Sequence, residues 1–248
     1  MTITSLTHQV RFPPSDGGLS QDEEWCEVIV DGEARRLRFH DYGAIYDIPG
    51  LYEHLFYERL KCRSPSVVSD LLAEAVEAAG QDPADLRVLD LGAGNGIVGE
   101  ALRERGFEDV VGVDISPEAG EAVERDRPGV YAGYYVCDLL SPPGDVRRAL
   151  EDERFGAMTS VAALGFGDVP PEVFCAAFDL VEDGGWIAFT IKADFLGEGD
   201  ESGFETLIAE LTGSGALEER SRRRYQHRLD TNGKPLHYVA IAALKRSI

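Results

Sequence analysis

The chain has 248 residues, of which 44% are hydrophobic and 28% charged, enough apolar material for one domain of ordinary size with additions. Its formal net charge of −21, from 45 acidic and 24 basic residues, opposes binding to nucleic-acid phosphates and to anionic membranes. No apolar run approaches the roughly 20 residues that span a bilayer, and the N-terminus lacks the layout of a secretory signal, so we expect a cytoplasmic protein.

The cysteines and histidines give no sign of a metal site. The 4 cysteines lie far apart, without a C-x-x-C pair, and the histidines do not cluster at ligand spacing. Cys137 and Cys175 lie within apolar segments, where a cysteine usually packs as a small apolar side chain. We therefore predict that the protein binds no metal.

The N-terminal quarter of the chain predicts an arm followed by a β-hairpin. Residues 1–24 show little apolar periodicity, which is typical of a loose arm. Two β-prone runs, residues 25–30 and 34–40, flank Asp31-Gly32, a pair that favours a hairpin turn. Because two strands alone are marginally stable in water, this hairpin must pack on the main domain or on a second subunit.

The segment that follows, residues 40–57, is unusually aromatic. Tyr42 and Tyr46 are spaced i, i+4, so they share a face if the segment is helical. These side chains either form a lid over a ligand or attach the N-terminal helices to the sheet. His54 and the adjacent Glu53 are candidate catalytic bases.

Beyond Ser64-Pro65, an N-cap followed by proline at the first helical position, strands and helices alternate. The predicted strands are 87–91, 109–114, 130–136, 157–162 and 186–191, with two longer β-prone runs at 217–229 and 236–244. The predicted helices are 51–61, 64–79, 96–105, 116–125, 145–150, 171–181 and 204–211.

This order predicts an α/β fold. We expect a Rossmann-like, seven-stranded, mostly parallel sheet with helices on both faces and a C-terminal antiparallel hairpin, plus the N-terminal β-hairpin and helical lid. We predict two domains, residues 1–63 with the arm, hairpin and lid segment, and residues 64–248.

The first strand of the parallel series ends in Asp90, and Gly92, Gly94 and Gly96 follow at every second position before a helix. Glycine tolerates positive φ and lets a ligand approach the backbone closely. The N–H groups at the start of a helix favour an electron-rich or anionic part of a ligand. We therefore expect a nucleotide-like cofactor at this glycine turn.

The glycine turn is compatible with two cofactors, a dinucleotide such as NAD and S-adenosylmethionine. Residues 94–99 match G-x-G-x-x-G, and Asp114 follows Gly94 at the distance of a dinucleotide-binding ribose acid. S-adenosylmethionine (SAM) is favoured because Asp90 suits a cationic amino-acid group and would repel a pyrophosphate. The alternating glycines also suit an uncharged thioether-linked nucleoside, and Asp138 before an apolar residue suits adenine. Parallel strands bind ligands at their carboxyl ends, so these acids share one rim.

The combination VLDLGAGNG, VVGVDIS and VCDLL resembles the class I SAM-dependent methyltransferases, over residues 86–244. The fourth and fifth strands of the series are similar to the small-molecule type, in the group that includes the Williams–Beuren region methyltransferase-like protein. The resemblance implies SAM as cofactor and S-adenosyl-L-homocysteine as product.

The resemblance also implies how the cofactor is held. Asp90 would support its α-amino group through the loop or a water, and Asp114 would accept both ribose hydroxyls. Ile115 would lie against adenine, and Tyr46 would lie near the carboxylate of the cofactor. The alternative is that each acid is a solvated loop residue. The predicted cofactor-binding residues are Tyr46, Asp90, Gly92, Ala93, Gly94, Gly96, Asp114, Ile115, Ser116, Asp138, Leu139 and Val161.

The sequence says less about the acceptor, by which we mean the molecule that receives the methyl group. Neither Asn-Pro-Pro-Tyr nor Pro-Cys follows the fourth strand, which disfavours the amino-group methyltransferases of nucleobases and glutamine and a covalent cytosine mechanism. Small residues from Val161 to Gly167 leave room beside the transferred methyl group, with Phe166 as a wall. Asp168 is a base, a substrate anchor or a helix N-cap. The basic run 222–228 either holds an acidic substrate or forms a solvated strand edge.

We predict methyl transfer to an oxygen or nitrogen of a small molecule by direct SN2 displacement, with carbon left open. The candidate catalytic residues are His54, Asp168 and His237, although such a reaction does not require a dedicated base. The rival hypotheses are a SAM-binding protein without methyl transfer and an NAD-dependent oxidoreductase. We expect a small-molecule substrate, no nucleic acid, no membrane, and a monomer or homodimer.

Overall fold

The computed structural model describes residues 8–14, 19–197 and 200–247, so part of the predicted N-terminal arm lies outside the described residues. The chain divides into two compact units. The first unit comprises Met1–Arg63 and Gln226–His237, and the second comprises Ser64–Tyr225 and Tyr238–Ile248.

The strands are β1 (Val10–Arg11), β2 (Trp25–Val30), β3 (Glu33–Arg38), β4 (Arg87–Leu91), β5 (Asp109–Asp114), β6 (Gly133–Val136), β7 (Phe155–Ser160), β8 (Val181–Lys192), β9 (Leu217–Leu229) and β10 (Pro235–Lys245). The α-helices are α1 (Tyr42–Tyr46), α2 (Ser64–Ala78), α3 (Ile97–Arg103), α4 (Pro117–Asp126), α5 (Gly144–Asp152), α6 (Pro171–Leu180) and α7 (Phe204–Gly213). A π-helix spans Glu53–Arg59, and 3-10 turns lie at Gln21–Glu23, Pro83–Asp85 and Ala193–Leu196.

The main sheet has seven strands in the order β6-β5-β4-β7-β8-β10-β9. Strands β4 to β8 pair in parallel, whereas β10 is antiparallel to β8. Leu91 lies opposite both Val113 and Ser160, and Asp114 lies opposite Val136. The carboxyl ends of β4, β5, β6 and β7 therefore meet at one rim, and the predicted α/β fold is confirmed.

Apolar side chains cover both faces of this sheet because successive residues of a buried strand point to opposite sides. On β4, Leu89 and Leu91 belong to one buried cluster and Val88 to another. Phe174 and Phe178 of α6 complete the first cluster. The second is completed by α2 and α3, with residues such as Leu72. Full burial of such a side chain contributes roughly 1.5–3 kcal/mol, so these helices hold the glycine turn on a rigid support.

The first unit contains a three-stranded antiparallel sheet in the order β1-β2-β3. The hairpin turn lies at Asp31-Gly32 as predicted, and both residues have positive φ, 53° and 83°. The prediction that residues 1–24 form a loose arm was wrong for Val10–Arg11, which pair with β2. Val10 is buried against the hairpin core, a long-range contact that local periodicity does not reveal.

A buried ion pair ties the segment 226–237 into the first unit. The guanidinium of Arg228 donates to Glu24 Oε2 at 2.5 Å, and the N–H of Thr231 donates to Glu24 Oε1 at 2.7 Å. Both charged residues are nearly inaccessible, with exposures of 3% and 1%. The N–H of Leu229 donates to the carbonyl of Leu60 at 2.7 Å, which adds a backbone connection within the same unit.

Three predicted element boundaries need correction. The strand predicted from residue 130 begins only at Gly133, because Val130 and Tyr131 pack against the glycine turn. The last parallel strand begins at Val181, and Gly184-Gly185 lie within it beside a register irregularity, not at the end of a helix. The predicted helix at 51–61 contains the π-helix.

Candidate cofactor site

The glycine turn closes tightly over the end of β4. Gly92, Gly94 and Gly96 have φ angles of 71°, 53° and 87°, in the left-handed region that glycine adopts without strain. The N–H groups of Gly92 and Ala93 both donate to the carbonyl of Val113, at 2.9 and 3.1 Å. These hydrogen bonds fix the turn to the end of β5.

Asp114 is held by two backbone donors at this rim. Its Oδ2 accepts from the N–H of Gly94 at 2.8 Å, and its Oδ1 accepts from the N–H of Ser116 at 2.9 Å. Burial raises the pKa of the Asp114 carboxyl, and the nearby charge of Asp168 adds to the increase. Each oxygen keeps a further lone pair, so the fixed carboxylate is suited to accept two hydroxyl groups. The Ser116 hydroxyl itself accepts from the N–H of Ala119 and caps α4.

Exposed apolar side chains follow two neighbouring acids of the rim. Ile115 is 68% exposed directly after Asp114, and Leu140 is 50% exposed two residues after Asp138. The exposed Asp138 accepts from the N–H of Leu140 at 2.9 Å, whereas Leu139 is buried in the core. Sequence reasoning singled out Leu139 and missed Leu140. Exposed apolar surface beside hydrogen-bonding groups is typical of a ligand-binding site.

Asp90 lies beneath the turn and has no exposed surface. Its Oδ2 accepts from the hydroxyl of Tyr131 at 2.7 Å, and its Oδ1 accepts from the hydroxyl of Thr159 at 2.8 Å. Burial raises the pKa of its carboxyl to about 7, against the opposing effect of these two hydrogen bonds. The structure therefore places Asp90 as a support of the turn.

Sequence reasoning also missed three side chains that hold the turn from the segment after α4. They are Arg127, Tyr131 and Tyr134, which we call the turn clamp. A weak signal was present, since an isolated glycine within a helix or a strand often marks a close approach. Gly99 in α3 and Gly112 in β5 are such glycines, and the two tyrosine rings lie against them.

The segment between β7 and α6 lies against the same turn. Val161 is buried, and Ala162 has a positive φ of 57° while its N–H donates to the hydroxyl of Thr190 at 2.8 Å. Further along, the rings of Phe166 and Phe195 meet edge to face at 4.9 Å. Small side chains and an aromatic pair therefore follow β7.

Asp168 is not the N-cap of α6. The N-cap is Pro170, which has no side-chain hydrogen bond, so that alternative was wrong. Proline fixes the entry to the helix by its own φ. Asp168 is half-buried, and its charge acts on Asp114.

The remaining candidates belong to the first unit. Tyr46 is 6% exposed at the end of α1, and its ring stacks on Tyr42 with centroids 6.3 Å apart. His54 is 6% exposed in the π-helix, with Nδ1 2.7 Å from Oε2 of Glu58. His237 is exposed on β10. The carboxylate partner of His54 is Glu58, one helical turn further along the chain.

The basic run on β9 alternates as expected for a strand. Arg222 and Arg224 are exposed, whereas Tyr225 and His227 are buried. The guanidinium of Arg222 lies 2.7 Å from Glu219 on the same strand. This arrangement favours the solvated edge over an acid-binding site.

Comparisons with known proteins identify the family and the fold of the chain. A family model described as a methyltransferase domain matches residues 63–246. The chain belongs to this family, within the class I SAM-dependent methyltransferase superfamily, so the predicted resemblance is confirmed. Among curated proteins, human methyltransferase-like protein 27 is 29% identical over 163 residues, which cover 61% of this chain and 62% of that protein. The chain thus aligns with less than two thirds of that relative.

Solved structures show the same fold at low sequence identity. The N-methyltransferase NodS from Bradyrhizobium japonicum superposes with a TM-score of 0.57 at 15% identity, covering 84% of this chain and 98% of NodS. Thermoplasma acidophilum 1320 gives 0.53 at 16% identity, covering 82% and 99%. The [4+2]-cyclase SpnF gives 0.52 at 15% identity, covering 74% and 82%. Within the described residues, no helix has the length and apolarity needed to span a membrane.

Proposed function

We propose that this protein transfers a methyl group from SAM to an oxygen or nitrogen of a small molecule by direct SN2 displacement. The observation that carries the proposal is the rim beside the glycine turn. There Asp114 is oriented by two backbone N–H groups, and Ile115 directly after it exposes an apolar surface. Hydroxyl acceptors next to an exposed apolar side chain match a ribose joined to adenine.

The residues fit the proposed cofactor part by part. Asp114 would accept the ribose hydroxyls, Asp138 would accept from the adenine amino group, and Ile115 and Leu140 would contact the ring. Gly92 to Gly96 would line the ribose and methionine portions, with Asp90 supporting them from below through the turn. Tyr46 is proposed at the cofactor carboxylate. When bound, SAM supplies a methyl group on a positively charged sulfur.

A small-molecule acceptor is supported by charge. A net charge of −21 weighs against binding to the phosphates of RNA, DNA and anionic membranes. The small side chains after β7 and the pair Phe166–Phe195 suit a compact, partly apolar acceptor. We propose that the protein works in the cytoplasm as a monomer or homodimer, and that the division at residue 63 separates a lid from the cofactor-binding domain.

Asp168 is our first choice for the group that takes the acceptor's proton or anchors the acceptor. It lies on the rim of the second unit, close enough for its charge to act on Asp114. His54 and His237 remain alternative bases. In His54, Nδ1 contacts Glu58, so Nε2, which is buried in the structure, is the ring nitrogen that we propose as the alternative base.

The first test is a methyl-release screen with SAM against small acids, amines and phenols, followed by Asp168→Asn. With an acceptor in hand, we expect the variant to lose at least tenfold in kcat while its SAM affinity stays within threefold of wild type. Asp194→Asn is the matched control, since Asp194 is an exposed acid that pairs with Lys192 at 3.0 Å. Full kcat in Asp168→Asn would exclude Asp168 as the base.

The second candidate function is a SAM-binding protein that transfers no methyl group. Binding of SAM together with silence across the acceptor screen would favour it. Binding of neither SAM nor S-adenosyl-L-homocysteine would overturn both functions.

A further inference from the structure

Three successive carbonyls of the glycine turn receive hydrogen bonds from the turn clamp. The hydroxyl of Tyr134 donates to the carbonyl of Gly94 at 2.8 Å, and the guanidinium of Arg127 donates to that of Asn95 at 3.1 Å. The hydroxyl of Tyr131 donates mainly to Asp90, with the carbonyl of Ala93 as a second acceptor at 3.4 Å. All of these residues lie in the second unit.

The two tyrosines of the turn clamp are held by close packing of their rings as well as by hydrogen bonds. A Cβ added at Gly99 would lie 2.6 Å from the ring of Tyr131, and one added at Gly112 would lie 2.7 Å from the ring of Tyr134. The two rings contact each other with centroids 5.5 Å apart. Glycines at both positions thus let the rings reach the turn.

The hydroxyl of Tyr131 is itself held in place by Asp90, which is fully buried. The hydroxyls of Tyr131 and Thr159 donate to the two carboxylate oxygens of Asp90. The clamp therefore connects the turn to β4 and β7 in the centre of the sheet. Burial raises the pKa of the Tyr131 phenol, so it remains a proton donor throughout the physiological range.

We propose that Arg127, Tyr131 and Tyr134 are positioning residues that hold the glycine turn in its cofactor-binding conformation before the cofactor arrives. A peptide group is planar, so holding the carbonyls of residues 93–95 also sets the direction of the N–H groups of residues 94–96. One of these, from Gly94, orients Asp114. The inference rests on the proposed function, because it assigns the turn and Asp114 to SAM.

The physical need for such a clamp comes from the glycines. A turn with three glycines in five residues has unusual conformational freedom, and ordering it at the moment of binding weakens affinity. Side-chain donors from a neighbouring segment remove that freedom in advance. The competing explanation is that the segment only packs on α3 and β5, which would affect stability but not the cofactor.

The test compares Tyr134→Phe and Tyr131→Phe with Tyr135→Phe. Tyr135 is the adjacent tyrosine on β6, packed on the opposite face of the sheet, and it serves as the matched control. We expect calorimetric titration with SAM to show affinity about 3- to 10-fold weaker for Tyr134→Phe and about 10-fold or more weaker for Tyr131→Phe, and unchanged within twofold for Tyr135→Phe. In Tyr134→Phe and Tyr131→Phe the KM for SAM should rise, and kcat at saturating SAM should not change.

Amide hydrogen exchange in the cofactor-free protein tests the clamp without reference to SAM. Tyr134→Phe should speed exchange of the amides of residues 92–96 at least fivefold and leave the centres of β4 and β5 unchanged. Exchange and SAM affinity equal to wild type in Tyr134→Phe would overturn the proposal even if its Tm falls. Failure of the wild type to bind SAM would overturn the cofactor assignment instead, and the exchange result would still decide whether the clamp orders the turn.

Discussion

At the scale of single residues, Asp114 is the side chain on which the cofactor assignment most depends. Its two oxygens are oriented by Gly94 and Ser116. We expect Asp114→Ala to weaken SAM binding by about 30-fold or more, since hydrogen bonds to a charged group contribute about 1.5–3 kcal/mol each. Titration calorimetry measures this directly.

The matched control for Asp114 lies at the opposite end of the same strand. Asp109 begins β5 and pairs with Arg87 at 2.7 Å. Asp109→Asn should change stability slightly and leave SAM affinity within twofold. An Asp114→Ala variant that binds SAM like the wild type would show that the ribose contact is wrongly assigned.

The buried carboxyl of Asp90 should make the free energy of unfolding depend on pH. Burial raises the pKa of its carboxyl to about 7 in the folded protein, above the roughly 3.9 of an unfolded aspartate. The folded state therefore binds the proton more tightly, and this contribution to stability is full below about pH 4 and lost as pH rises through 7. The groups that act on Asp90 are the hydroxyls of Tyr131 and Thr159 and the charge of Asp114.

The measurement is the free energy of unfolding of wild type minus that of Asp90→Asn, from denaturant curves at several pH values. We expect this difference to decrease by up to ~4 kcal/mol between pH 4 and pH 8, because each pKa unit corresponds to about 1.4 kcal/mol. Other titrating groups are common to both proteins and cancel. A difference that does not change with pH would mean that Asp90 titrates normally.

At the scale of elements, the sequence predicted best where local pattern and tertiary contact agree. The strand, glycine turn and helix from Arg87 to Arg103 combine an apolar run, glycines and helical spacing, and the structure has them as expected. The hairpin around Asp31-Gly32 was predictable for the same reason.

The elements that sequence reasoning missed depend on contacts far along the chain. The turn clamp joins residues 127–134 to residues 93–95 through side-chain donors, and such contacts leave no periodic pattern. Strand β1 is two residues long and exists only through pairing with β2. Glu24 and its buried partner Arg228 are separated by most of the chain. Local propensity carries no information on these pairings.

The buried pair Glu24–Arg228 gives a prediction for the first unit. Glu24→Gln leaves Arg228 buried without a counter-charge, and breaking a buried pair in this way destabilises a protein by about 3–5 kcal/mol. The loss corresponds to a fall in Tm of roughly 10 °C, measured by thermal unfolding.

An exposed glutamate–arginine ion pair provides the control for the Glu24→Gln substitution. Glu219 pairs with Arg222 on the surface of β9, and Glu219→Gln should alter stability by less than about 1 kcal/mol. Equal effects of the two substitutions would contradict the claim that burial makes the Glu24–Arg228 pair matter.

At the scale of the whole molecule, the chain combines a methyltransferase fold with a strongly acidic surface. The fold and the glycine turn restrict the cofactor, and the charge restricts the acceptor by disfavouring polyanions. The side chains after β7 and β8, where we propose that the acceptor binds, share no motif with the cofactor site. This separation explains why the sequence predicted the cofactor in detail and the acceptor only as a class.

The central claim is that the glycine turn and its rim bind SAM. The most direct measurement is isothermal titration of the full chain with SAM, S-adenosyl-L-homocysteine and NAD, with Asp114→Ala in parallel. We predict one-to-one binding of SAM and S-adenosyl-L-homocysteine in the micromolar range usual for enzyme ligands, SAM binding about 30-fold or more weaker in the variant, and no binding of NAD. Binding of NAD without binding of SAM would contradict the account.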